Sequence, residues 1–91
     1  MPMRVKSSLE WTPVSSELRG QMQVAPLHCR KDLARMIGGI ENLVHKLGSE
    51  EVELRRNRKE SSARHQELLV RINESIDEYE KWLILAHLQH G

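Results

Sequence analysis

Leu33, Met36, Ile40, Leu43 and Leu47 recur at alternating spacings of 3 and 4, and Ile37 and Val44 widen the same stripe. That alternation keeps side chains on one face of a helix, so the stretch predicts an amphipathic helix with a coiled-coil-like seam. Cys29 falls one step earlier on the seam, and Pro26 suits the start of the helix. A second stripe, Leu69, Ile72, Ile76, Tyr79, Leu83 and Ala86, steps by 3, 4, 3, 4 and 3. Glu67–Arg71 and Asp77–Lys81 are i,i+4 pairs that support its outer surface. A helix over residues 62–88 follows.

Between the stripes lies EEVELRRNRKESSARHQE, residues 50–67, where only Val52, Leu54 and Ala63 are apolar. Gly48 followed by Ser49 reads as a helix stop and a new N-cap. A reversal there, however, would set Ile40 against Asn57 and Leu33 against Arg64, burying polar and charged groups on aliphatic ones at a cost of several kcal/mol. A reversal near 57–62 instead sets Leu47, Leu43, Ile40, Met36 and Leu33 against Ile72, Ile76, Tyr79, Leu83 and Ala86. A register one heptad shorter, turning near Arg56, matches almost as well. The other alternative is one helix from Glu50 to Leu88, with the two seams meeting between subunits.

Residues 1–26 differ from the rest. They hold all three prolines, Pro2, Pro13 and Pro26, and their apolar positions, Leu9, Trp11, Val14, Leu18 and Met22 among them, are scattered. They read as an extended N-terminal arm with a short helix over PVSSELR, capped by Thr12 and ended by Gly20. The remainder, 27–91, reads as a helical hairpin domain. Gly38 and Gly39 lie off the seam, where a close neighbour or a bend would account for them. The expected fold class is all-α: two main amphipathic helices in a hairpin, or its intermolecular equivalent, with an N-terminal arm, pairing into a dimeric helical bundle.

WLILAHL, residues 82–88, breaks the amphipathic rule. Leu83 and Ala86 belong to the seam and Trp82 flanks it, but Ile84, Leu85 and Leu88 point the other way. One neighbouring helix covers only a stripe, so apolar residues all round imply further cover. The arm folding back with Leu9, Trp11 or Val14 would supply it, as would a second copy or a different protein. Trp82, Ile84, Leu85, Leu88, Leu9 and Trp11 are therefore the candidate interface residues.

Composition narrows the chemistry. The 91 residues contain no Phe, one Tyr and one Cys, with a formal net charge of +1. A chain of this length carries one small, mainly aliphatic core. The lone Cys29 leaves no intrachain disulfide and points to a reducing, cytoplasmic setting. No run approaches the roughly 20 apolar residues of a membrane span, and the first residues lack a secretory signal pattern. The near-zero net charge selects no nucleic acid or acidic surface in bulk.

Five histidines raise a metal reading: His87 and His90 lie three apart, His28 adjoins Cys29, and His65 heads the second seam. No spaced set of four zinc ligands exists among them, so no metal or cofactor is expected. Glu74, Asp77, Glu78 and Glu80 spread around a helix exterior and form no catalytic pair. With no phosphate loop and no nucleophile motif either, no enzyme is expected. The basic run Arg55, Arg56, Arg58 and Lys59 is the competing signal, though Glu50, Glu51, Glu53 and Glu60 bring its local charge to zero. The expected function is a small helical interaction module, an inhibitor, antiactivator or adaptor that sequesters another protein. A dimeric nucleic-acid binder using residues 55–59 is the alternative.

Overall fold

The computed structural model describes residues 3–90, with side chains through Leu88. All its elements are helical: a 3₁₀ turn at Ser8–Glu10, then α1 (Trp11–Gln23), α2 (Leu27–Arg56) and α3 (Ala63–His90). No strand occurs among the described residues. The three helices pack against one another. At 1.5 Å per residue, the 30 residues of α2 span about 45 Å, which accounts for a molecule measuring 51 × 21 × 17 Å.

Helix α2 runs unbroken through Gly48 and Ser49. Leu47 and Leu54, on either side of that cap signal, are both buried. Each buried leucine gains about 1.5–3 kcal/mol, more than the roughly 1 kcal/mol of a cap. The helix closes at Arg56 with paired carbonyls: Arg58 N–H donates to Arg55 O at 3.1 Å and Lys59 N–H to Leu54 O at 2.8 Å. This is the Schellman arrangement, with Arg58 taking the left-handed position (φ 55°) that glycine usually fills. Ser62 then opens α3, its Oγ accepting the His65 N–H at 3.0 Å and donating to Glu50 Oε1 at 2.9 Å. Arg64 stands 3.8 Å from Glu50. The charges that could not face leucine thus pair with each other around the reversal. His65 is half-buried beside it.

The segment read as an arm is built into the core. Val5, Trp11, Leu18 and Ala25 share one buried cluster with the α2 and α3 stripes. Helix α1 begins at Trp11, one residue before the expected cap, and continues through Gly20 to Gln23. Pro13 is tolerated because it lies in the first turn, where an N–H needs no helical partner. Ser8 bonds to Glu51 through both its N–H and its hydroxyl, and Arg19 pairs with Glu41, so α1 runs antiparallel to α2. Arg30 receives the end of α1, donating to Gln23 O at 2.6 Å and Ala25 O at 3.0 Å.

Helix α1 also shifts the α2 core face. Leu33, Ile37, Ile40, Val44 and Leu47 are buried, whereas Met36 and Leu43, expected on the seam, are only half-buried. Exchanging Met36 and Leu43 for Ile37 and Val44 turns the stripe by about 40° toward α1. On α3 the expected residues Leu69, Ile72, Ile76, Tyr79, Leu83 and Ala86 are all buried, joined by Leu68. No neighbour approaches within 4 Å of the position a Cβ would take at Gly38 or Gly39. Of the two reasons considered for these glycines, a close neighbour is therefore absent.

Candidate functional site

The last turns of α3 carry an unbalanced load of apolar surface. Leu83 and Ala86 turn inward, while Trp82, Ile84, Leu85 and Leu88 remain 53, 61, 43 and 70 % exposed. Successive helical residues are about 100° apart, so these four spread over about 160° of the outer side of the tail, which exposed Lys81 and His87 share. The Trp82 indole N–H donates to Glu78 Oε1 at 3.0 Å, holding the ring along the helix.

The start of α2 faces this tail across a groove of about 510 Å³. Leu33, Met36 and Ala86 line its interior, with Trp82 and Leu85 on the α3 side and His28, Asp32 and Arg35 on the α2 side. Asp32 and Arg35 stand 3.8 Å apart and offset each other's charge. Cys29 also borders the groove and is half-buried as a free thiol. Val24 and Leu27, in and just after the turn between α1 and α2, are 71 and 77 % exposed. Neither belongs to the expected interface, although both lie in the short apolar run Val24-Ala25-Pro26-Leu27 ahead of the stripe.

Two expected interface residues lie elsewhere. Trp11 is only 7 % exposed and belongs to the chain's own core, which corrects its assignment to an interface. Its indole is drawn inward because α1 packs as a full helix instead of an extended arm. Leu9 is 84 % exposed but neighbours Ser8, which is bonded to Glu51. That places it some 15 residues of α2, roughly 22 Å, from the groove. The N-terminal segment folds onto the middle of α3 through Asn73 and Tyr79 and does not cover the tail.

The basic run occupies the opposite end. Arg55, Arg56, Arg58 and Lys59 are exposed. Arg56 pairs with Glu53 at 3.0 Å, while Glu50 and Glu51 are engaged by Ser62 and Ser8. No group of three or more metal-ligating side chains occurs among the described residues, and the side chain of His90 lies outside them. No helix of the described residues is long and apolar enough to cross a membrane. Tyr79 has a phenol pKa pushed above its ordinary value, first by burial; Arg19 opposes the shift and Glu80 adds to it. It is positioned as a structural donor to the Leu18 carbonyl, not aimed into a pocket.

No protein-family model, curated protein or solved structure matches the chain. The geometry alone carries the functional reading.

Proposed function

We propose that this chain is a non-enzymatic protein–protein interaction module that works through the apolar end formed by the α3 tail and the start of α2. In its concrete form it is a cytoplasmic inhibitor, antiactivator or adaptor, assembled as a dimeric helical bundle, that sequesters a partner such as an enzyme or a transcription factor. The supporting observation is the exposure of Trp82, Ile84, Leu85 and Leu88 together beside an open groove. Contiguous apolar patches of this kind mark contact surfaces, whereas scattered exposed residues do not. A membrane surface fits less well, because helices that lie on lipid set basic residues beside the apolar face. Here Glu74, Asp77, Glu78 and Glu80 precede the tail.

The test is affinity capture from the native cell with tagged wild-type chain and with an Ile84→Asp/Leu88→Asp variant. Both positions are exposed, so the variant keeps its own core. One stoichiometric protein held by wild type and lost by the variant supports the reading. Equal capture by both overturns it. So does nucleic acid in the eluate that disappears when Arg55, Arg56 and Arg58 become Gln.

A further inference from the structure

We infer that the apolar end pairs with a second copy of this chain, the two α3 tails lying antiparallel about a two-fold axis at Leu85. The inference rests on the reading of that end as a protein interface and names its occupant.

The first support is the symmetry of the exposed stripe. Trp82, Leu85 and Leu88 follow one another at intervals of three residues, turning about 60° at each step. Antiparallel helices crossing at Leu85 place a residue some positions before it against one the same number after it. Leu85 then meets Leu85 of the second copy, and each Trp82 meets the other copy's Leu88. Every outward apolar residue of the stripe finds an apolar partner. Such self-complementarity is what an isologous contact requires, and an unrelated partner would not demand it.

The second support is area. Trp82, Leu85 and Leu88 are 53, 43 and 70 % exposed, with Ile84 beside them at 61 %. Together with the groove that adjoins them they offer several hundred Å² of apolar surface toward the roughly 800 Å² that each side of a stable interface buries. The groove adds room. With α1 on the far flank of α2, the side of the α2–α3 pair lined by Leu33, Met36 and Ala86 is open. A second copy's tail laid along it completes a four-helix arrangement from α2 and α3 of each chain.

Electrostatics places no obstacle in the way. Each copy brings a formal charge of only +1. At the rim, Asp32 is already offset by Arg35, and Glu78 accepts the Trp82 N–H. Lys81 lies in line with Leu85 and Leu88 one turn before them, at the end of the stripe, where it is exposed and its long side chain can carry the ammonium out to water. No unpaired charge is buried at the centre.

The experiment uses the full chain with Cys29→Ser, which removes the only native thiol, and then adds Leu85→Cys or, as control, Val70→Cys. Val70 is 42 % exposed on the same helix and about 22 Å away. Under oxidised glutathione, which takes up the two electrons of disulfide formation, Leu85→Cys is expected to cross-link at least tenfold more than Val70→Cys. Light scattering at micromolar concentration should give twice the mass of one chain for the Cys29→Ser parent. Circular dichroism confirms that both variants remain helical. A single-chain mass at every concentration overturns the inference, as does a doubled mass with no preferential Leu85→Cys link. If single-chain mass accompanies capture of a foreign protein that Ile84→Asp/Leu88→Asp abolishes, the second copy is ruled out while the interface reading stands.

Discussion

The Tyr79 hydroxyl donates a 2.7 Å hydrogen bond to the backbone carbonyl of Leu18, joining α3 to α1 within the core. Tyr79 is completely buried, and its phenol is the means by which the N-terminal helix is tied to the last one. The Leu18 carbonyl lies inside α1 and has a helical partner as well, so losing the phenol does not orphan it. Tyr79→Phe should therefore cost about 1 kcal/mol in a urea melt at neutral pH.

The same bond gives an alkaline signature. Burial raises the Tyr79 pKa above the ordinary value of about 10. The unfolded chain therefore releases this proton at lower pH than the folded one. The stabilisation is fully present below about pH 10 and declines as pH rises through the shifted value. The gap in stability between wild type and Tyr79→Phe should narrow accordingly above about pH 10. Tyr79 is the only tyrosine, so tyrosinate absorbance follows it alone and should rise together with the loss of helicity.

Asn73 holds the segment before α1. Its Oδ1 accepts from the N–H groups of Arg4 and Val5 at 2.8 and 2.9 Å, and its Nδ2 donates to Val5 O and Leu69 O, each at 2.8 Å. The amide uses both ends to bind extended backbone, and Val5 is driven fully into the core beside it. Asn73→Ala should lose about 2–3 kcal/mol from these contacts. Amide hydrogen exchange should locate the loss at Arg4 and Val5. Asn73→Asp should be no better, because a carboxylate cannot donate to the Val5 and Leu69 carbonyls.

The α3 stripe was legible because burial on one face of a long helix leaves a regular period, and Leu69 through Leu83 kept it without interruption. The site of reversal was legible only in part. A turn at residues 57–62, a register one heptad shorter near Arg56, and one helix from Glu50 to Leu88 all kept the charges off leucine. The chain alone does not choose among them; the structure does, with α2 ending at Arg56 and α3 starting at Ala63. Helix α1 was not. Ser15, Ser16, Glu17, Gln21 and Gln23 make it polar, Pro13 and Gly20 resemble breakers, and Leu18 alone of its central residues is buried. The choice between Met36 and Ile37, or Leu43 and Val44, could not be made from the chain because both faces are apolar. Only the presence of α1 decides it. The role of Asn73 left no trace in the chain, since the Arg4 and Val5 backbone groups it binds lie 68–69 residues away and carry no sequence signature. Of the candidate surface, the α3 tail was visible by its excess of apolar residues. The groove that adjoins it depends on how two helices diverge, which no local pattern records.

Gly38 and Gly39 sit inside α2 with open space where a side chain would be. Each costs about 1 kcal/mol relative to alanine through backbone entropy. Gly38→Ala and Gly39→Ala should each raise the melting temperature by about 4–8 °C, measured by circular dichroism. A fall at either position would show that the helix needs glycine there for a contact the isolated chain does not make.

The most direct test of the interface uses the two tryptophans as opposites, Trp11 in the core and Trp82 on the exposed tail. A Trp11→Phe variant leaves Trp82 as the only indole, and a quencher added to the solvent then reads the cover over that residue alone. Trp82 should be freely quenched at the lowest protein concentrations. As concentration rises, or as the purified protein that wild type captures is added in a form whose tryptophans are replaced by phenylalanine, quenching should fall several-fold and the emission should shift to the blue. Trp82 remaining equally accessible at every concentration and with that protein present would contradict the assignment of the apolar end as a protein contact surface.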